Sequence, residues 1–275
     1  HTLTHMKHSL ITGLPLLILL TAFSCSASLH AQTDDPYHLS LKREAPYLLG
    51  SAFLLVKGEQ LREDLTPVTI GEILALDRFD PGIDNIPFSY GRHRADKLSD
   101  YVMYASGGLT VALLAGRQTR HDFGKISLLF AETMLVNQGL TNVTKASFKR
   151  SRPYVLNPEW SPDRPVYSGD RSSMISGHTS GAAAGAFFFA RVFSDYYPES
   201  KLKPYVWVTA ATLPAITGYL RVRAAKHFPS DVVAGYALGA AVGYLVPTLH
   251  KKPLLKGRLT LSPAGTGFYA SYSLR

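Results

Sequence analysis

A chain of 275 residues, 46% hydrophobic and 18% charged, is long enough to bury a sizeable core, which excludes a largely disordered protein. Its 29 Lys and Arg residues against 20 Asp and Glu give a formal charge of +9. That balance suits an anionic partner such as a phosphate ester, an acidic lipid or a nucleic acid. We expect one main domain.

The first 31 residues have the features of an export signal. Lys7 gives a positive start, residues 9–23 form an apolar run, and small residues follow. Cys25 stands where a bacterial lipoprotein carries its acylated cysteine, and cleavage after Ala31 is the alternative. We therefore expect residues 1–31 to be a signal peptide or lipoprotein signal, and the protein to be exported to the periplasm or cell envelope, with Cys25 or apolar helices as possible anchors.

Apolar helical segments recur through the rest of the chain. They cover residues 45–56, 101–116, 126–143, 179–193, 205–220 and 232–249. A membrane span needs about 20 mostly apolar residues, but the first segment is short and the third contains Glu132, Asn137 and Gln138. We therefore favour helices buried against one another over a polytopic membrane protein.

The regions between and after these segments define an expected organisation. We predict an N-terminal helical cap over residues 32–98 and a helical core over residues 99–250. Three prolines and one glycine between Asn157 and Ser173 predict a loop that joins two helices. Alternating residues on both sides of a Pro-Ala-Gly-Thr turn predict a β-hairpin extension over residues 251–275.

The first cluster of chemical interest runs from Lys145 to Arg152 and is followed by Pro153, which should end the helix that begins near Ile126. Seven residues make about two helical turns, so we expect Lys145 and Arg152 to point the same way, about 10 Å apart along the axis. Together they could hold one anion. The alternative is a basic helix end favoured by the helix dipole.

The second cluster is Ser176-Gly177-His178, which precedes an apolar helix. Unpaired N–H groups at a helix N-terminus favour a phosphate oxygen, and Gly177 allows close approach. His178 can supply a proton near neutral pH. The alternative is that Ser176 simply caps the helix.

The third cluster contains Arg221, His227 and Asp231, with Pro229 and Ser230 introducing the last apolar helix. An aspartate near a histidine can accept its ring N–H and leave the other ring nitrogen as a nucleophile. The alternative is an ordinary exposed histidine beside a helix-capping acid.

Together the three clusters resemble the motifs of the type 2 phosphatidic-acid phosphatase (PAP2) superfamily, K-x6-RP, PSGH and SR-x5-H-x3-D. Their order and spacings fit over residues 145–231, although Ile175 stands where the family has Pro and Leu220 where it has Ser. The resemblance implies an all-α helical bundle of the PAP2, acid phosphatase and vanadium haloperoxidase type, here with the short C-terminal β-hairpin.

The resemblance also implies roles for individual residues. His227 would attack phosphorus and form phosphohistidine, Asp231 would orient it, and His178 would protonate the leaving group and then activate water. The phosphoryl oxygens would be bound by Lys145, Arg152, Ser176, Gly177 and Arg221. No cofactor and no metal is implied, and no dense Cys/His/Asp cluster appears in the sequence.

Several functions remain open within these observations. A lipid phosphatase acting at a membrane surface, on phosphatidic acid, phosphatidylglycerophosphate, polyprenyl diphosphate or a lipid A type substrate, is the first interpretation. The alternatives are a soluble broad-specificity acid phosphatase, a vanadium haloperoxidase and a non-catalytic envelope binding protein. A nucleic-acid partner ranks last because no aromatic stacking stripe is visible. His93, His121 and His250 match no motif, and the oligomeric state is left open.

Overall fold

The computed structural model describes residues 35–69, 71, 84, 87, 93–155, 167–251, 257–264 and 267–274. The expected export signal over residues 1–31 and most of the predicted loop over residues 157–173 lie outside the described residues. Leu41–Glu63 is referred to as α1, and the remaining helices and strands are numbered in chain order after it. They are α2 (His93–Ala112), α3 (Arg117–His121), α4 (Phe123–Phe148), α5 (Gly177–Tyr196), α6 (Lys203–Arg223), α7 (Pro229–Leu249), β1 (Gly257–Ala264) and β2 (Gly267–Leu274). The predicted all-α helical bundle is confirmed.

Helix α5 lies at the centre of the bundle and packs against α2, α4, α6 and α7, while α1 packs on α4. Its small residues Ala182, Ala183 and Ala184 are fully buried. On α7, Gly235 and Gly239 follow at four-residue spacing and form a stripe on one face. A Cβ at Gly235 would lie 2.5 Å from the Ser176 carbonyl oxygen, so α7 runs almost in backbone contact with α5. The first turns of these two helices therefore lie side by side.

The outer faces of the bundle are apolar. Tyr101 on α2, Tyr205 on α6 and Val233 on α7 are each about two-thirds exposed, at 69%, 70% and 68%. Residues Ala95–Ala115 and Pro229–Leu249 are long and apolar enough to cross a membrane, a criterion that core helices of soluble proteins also meet. The expectation of mutually buried helices thus describes α5 but not the outer faces of α2, α6 and α7.

The two ends of the described chain form different structures. Strands β1 and β2 pair antiparallel, from Gly257 opposite Leu274 to Ala264 opposite Gly267. Before α1, Tyr37 forms a single antiparallel β-bridge with Lys251, which lies just after α7. The boundary predicted after residue 98 falls within helix α2, whose first turns face the site described next.

Candidate active site

The three sequence clusters meet at one end of the bundle, where α4 and α6 end and α5 and α7 begin. The amide of Ser176 donates to the Asp231 carbonyl at 3.0 Å, which fixes the start of α5 against the start of α7. The glycine contacts of α7 make this close approach possible. Residues more than 80 positions apart in sequence are thereby brought together.

The end of α4 differs from the sequence prediction. The helix ends at Phe148, and Lys149 adopts a left-handed backbone with φ of 50°. Arg152 therefore lies beyond the helix, and the prediction that Lys145 and Arg152 share one helical face is wrong. The turn brings Arg152 into the site instead. The Arg152 backbone N–H donates a hydrogen bond to the Asp170 carbonyl oxygen at 2.9 Å, which holds it there.

His227 is buried, with 1% of its surface exposed. Its Nδ1 lies 2.7 Å from the Ser173 carbonyl oxygen, which can only accept, so Nδ1 carries the proton. Nε2 faces Nη1 of Arg152 at 3.4 Å. Burial, followed by the charges of Arg152 and Arg221, holds the pKa of His227 well below 6.5. The imidazole is therefore neutral, with an unprotonated Nε2.

Asp231 does not accept a hydrogen bond from His227 as the sequence predicted. Its Oδ2 lies 3.7 Å from Nδ1, beyond hydrogen-bond distance, because Ser173 occupies that position. The same oxygen accepts from the Ser173 hydroxyl at 2.6 Å and from the Phe228 amide at 2.9 Å. Asp231 thus caps α7 and holds Ser173, whose carbonyl holds His227.

Arg150 is a member of this network that the sequence reasoning missed. Its guanidinium donates to Asp231 Oδ1 at 2.9 Å, to Asp84 Oδ2 at 2.9 Å and to the Ser230 hydroxyl at 2.7 Å. An unbroken helix would turn Arg150 away from the side on which Lys145 lies. The left-handed residue Lys149 could not be read from the sequence, since it is neither Gly nor Asn.

Three cations surround the position in front of Nε2. Arg152 donates from Nε to the Gly169 carbonyl at 3.0 Å and from Nη1 to the Lys226 carbonyl at 3.2 Å. Among the described residues, Nε of Arg221 is buried without a hydrogen-bond partner. Burial, followed by the charges of Arg152 and Arg62, lowers the pKa of Lys145 to about 7. This concentration of buried and half-buried positive charge is suited to an anion.

The start of α5 contributes the remaining predicted residues. A Cβ at Gly177 would lie 3.3 Å from Nζ of Lys145, so the missing side chain lets the amine approach the helix N-terminus. The Ser176 hydroxyl accepts from the Thr179 amide at 3.4 Å and lies 2.9 Å from the Thr179 hydroxyl. Ser176 therefore acts as a helix cap, the simpler of its two interpretations.

Helix α2 supplies two carboxylates that the sequence reasoning missed. Asp100 lies 2.8 Å from Nε2 of His178, and Asp96 accepts from Nη1 of Arg221 at 2.5 Å. Burial, followed by the charge of Arg221, lowers the pKa of His178 to about 4. The four-residue spacing of Asp96 and Asp100, which places both on one helical face, was the available signal.

Comparison with known families agrees with this arrangement. Residues 126–254 match the family model of the PAP2 superfamily. This range includes every residue of the three motifs. The match is to this part of the chain, and over it the resemblance seen in the sequence is confirmed.

Individual relatives match shorter or more distant parts of the chain. Lipid A 4'-phosphatase of Porphyromonas gingivalis is 32% identical over 80 residues, which cover 29% of this chain and 30% of that protein. The transmembrane PAP2-type phosphatidylglycerolphosphate phosphatase of Bacillus subtilis aligns at 19% identity and a TM-score of 0.42, over 75% of this chain and 95% of that one. LpxE of Aquifex aeolicus aligns at 23% identity and a TM-score of 0.40, over 62% and 97%.

Proposed function

We propose that this protein is a phosphatase that hydrolyses a phosphomonoester or diphosphate of a lipid through a phosphohistidine at His227. The observation that carries the proposal is the state of His227: buried, neutral and with Nε2 facing Arg152 among three cations. A neutral imidazole nitrogen is a nucleophile, and buried cations stabilise the charge that develops on a phosphoryl group in the transition state.

In the first step Nε2 of His227 forms a bond to phosphorus while the bond to the leaving-group oxygen breaks; this oxygen belongs to the lipid alkoxide in a monoester and to a lipid phosphate in a diphosphate. The departing oxygen takes a proton from His178. Because His178 is neutral in the free protein, it must gain this proton when the phosphate anion binds, since added negative charge favours the imidazolium. Asp100 accepts from that ring and supports its charged form.

In the second step a water molecule attacks the phosphohistidine, and His178 takes a proton from it. Inorganic phosphate leaves and His227 returns to its neutral form. Lys145, Arg152 and Arg221 neutralise the phosphoryl oxygens in both steps, the role that metal ions have in many phosphoryl-transfer enzymes. We therefore propose that catalysis needs neither a metal nor a cofactor.

A lipid substrate is supported by the surroundings of the site. Leu98 and Tyr101, close to Asp100 in the sequence of α2, are exposed, and so is Tyr219, which is close to Arg221 in the sequence of α6. These apolar side chains offer contacts to acyl or prenyl chains that a sugar phosphate lacks. The relative in P. gingivalis is named for a lipid A phosphate. We place the protein at the cell envelope, exported by residues 1–31, with its site at a membrane surface.

The intermediate can be tested directly. Wild-type protein is mixed with a ³²P-labelled substrate and quenched with alkali, which preserves phosphohistidine, or with acid, which hydrolyses it. We expect alkali-stable, acid-labile label on wild type and none on His227→Ala. Label that survives acid, or equal label on His227→Ala, would overturn the phosphohistidine mechanism.

The substrate class needs a separate comparison. Phosphate release is measured on phosphatidic acid and a polyprenyl diphosphate in vesicles, and on p-nitrophenyl phosphate in solution. We expect kcat/KM on the vesicle substrates to fall in Tyr101→Ser while p-nitrophenyl phosphate hydrolysis is unchanged. Equal preference for all substrates and no effect of Tyr101→Ser would favour the soluble broad-specificity phosphatase.

A further inference from the structure

A second cluster of ionisable side chains lies far from the site just described. Glu44 from α1, Glu132 from α4 and His250 just after α7 are 4%, 2% and 2% exposed. One ligand atom from each lies within 4.8 Å of the other two. Glu132 precedes Lys145 by 13 positions on α4, about 20 Å along the helix axis. The cluster therefore sits towards the opposite end of the bundle.

The histidine of this cluster is oriented as a metal ligand would be. Nδ1 of His250 donates to the Val246 carbonyl at 2.7 Å, so in the neutral ring the Nε2 lone pair points into the cluster. A hydrogen bond from the second ring nitrogen to a backbone carbonyl is a common support of metal-bound histidine. Nε2 lies 2.8 Å from Glu44 and 3.4 Å from Glu132.

The cluster is rich in buried oxygen ligands. Two buried carboxylates share one imidazole, and Arg43 contacts the other oxygen of Glu44 at 3.3 Å. Buried carboxylates are costly unless they are paired or bind a metal. Zn²⁺ binds imidazole nitrogen and carboxylate oxygen at about 2.0–2.2 Å, which separates tetrahedral ligands by about 3.4 Å. The Glu132 distance already matches, and the Glu44 distance needs to open by about 0.6 Å.

We propose that Glu44, Glu132 and His250 bind a divalent transition-metal ion, Zn²⁺, that fastens α1 to α4 and to the end of α7. The donor set of one imidazole and two carboxylates suits Zn²⁺ among the common divalent ions. A surface cavity lined by Arg43, Pro46 and Tyr47 lies next to the cluster, since the Tyr47 ring is 5.7 Å from the His250 ring. The site is structural, since it lies about 20 Å from Lys145.

The test compares Zn²⁺ binding by the full chain and by Glu132→Gln, which removes one ligand charge at nearly constant shape. The chain has ten histidines, so some Zn²⁺ also binds at the surface. This surface binding is the same in both proteins and cancels in the comparison. Each protein is stripped with chelator, titrated with ZnCl₂ by calorimetry, and analysed for bound zinc after desalting. Glu199→Gln, an exposed position, is the matched control.

We expect wild type and Glu199→Gln to retain about one zinc more per chain than Glu132→Gln. Zinc at 100 times its Kd should raise the Tm of wild type by about 5–10 °C and that of Glu132→Gln much less. Because each shift is measured within one variant, a change in the stability of Glu132→Gln itself does not affect the comparison.

A second variant, His250→Gln, should also bind about one zinc fewer per chain than wild type. The X-ray absorption spectrum of zinc bound to wild type should show nitrogen and oxygen ligands without sulfur. Equal zinc content and equal Tm shifts in wild type and Glu132→Gln would overturn the proposal and leave a proton shared between His250 and the carboxylates. Phosphatase activity is not the readout, so this result is independent of the proposed function.

Discussion

The reactivity of His227 depends on contacts that reach it through the backbone. Ser173 accepts the Nδ1 proton with its carbonyl and donates its hydroxyl to Asp231, which Arg150 also holds. Asp231 thus acts on His227 through Ser173. No substitution at Ser173 removes its carbonyl, so the contribution of this relay is best measured at Arg150.

Replacing Arg150 by Ala should lower both stability and kcat. The change leaves the fully buried Asp231 carboxylate without its cation, which costs about 3–5 kcal/mol in buried pairs. Arg150→Lys should recover part of kcat, and Lys149→Gln, at an exposed neighbouring position, should change stability by less than about 0.5 kcal/mol. Denaturant unfolding and steady-state kinetics measure the two effects. Unchanged kcat in Arg150→Ala would show that the relay does not reach His227.

The pKa of Lys145 predicts the alkaline limit of substrate capture. The amine is charged below its pKa of about 7 and neutral above it. We therefore expect kcat/KM to fall about tenfold per pH unit above pH 7, because the free enzyme loses a phosphate-binding charge. In Lys145→Arg the guanidinium stays charged, so the fall of kcat/KM should begin only above pH 9. The substrate ionises identically in both assays, and coincident pH profiles would refute the assignment.

At the scale of the helices, the close contact between α5 and α7 positions the site. A Cβ at Gly239 would overlap the Ser180 carbonyl oxygen and lie 2.9 Å from the Ala183 side chain. Because the contact is with backbone, the two helices would have to separate. The first turns of both helices, which present His178 and Asp231, would then shift apart.

Gly239→Ala should therefore destabilise the protein by about 1–3 kcal/mol and lower the Tm by about 2–10 °C. Gly108→Ala is the matched control, since Gly108 is also helical but has open space around its Cα. There the same change should stabilise by about 0.5–1 kcal/mol. Thermal unfolding compares them, and a loss of stability at Gly108 equal to that at Gly239 would contradict the packing argument.

Some of these elements could be read from the sequence and others could not. Apolar periodicity placed the helices α4 to α7, Pro229 marked the start of α7, and the motif spacings located the three clusters. The left-handed turn at Lys149 carried no glycine signal, so the positions of Arg150 and Arg152 were missed. The partner of His227 is a backbone carbonyl, which no side-chain pattern specifies.

At the scale of the molecule, the candidate active site and the cluster of Glu44, Glu132 and His250 are polar centres that lie towards opposite ends of the bundle. Lys145 and Glu132 belong to the same helix, and Asp231 and His250 mark the start and the end of α7. The first centre was predicted because its residues form motifs with fixed spacing. The second was missed because Glu44, Glu132 and His250 are each about 90 or more residues apart. The exposed apolar faces of α2, α6 and α7 were also underestimated, since a hydropathy pattern does not show which helix is central.

The central claim is that this chain releases phosphate from a lipid with His227 as nucleophile. The most direct measurement is phosphate release by wild type, His227→Ala and Glu199→Gln on phosphatidic acid and a polyprenyl diphosphate in vesicles, without added metal, both with and without EDTA. We predict turnover by wild type and Glu199→Gln and a loss of at least about 10³-fold in His227→Ala. No release by wild type on any substrate, or equal release by His227→Ala, would contradict the account and favour an envelope protein that binds phosphorylated lipid without hydrolysing it.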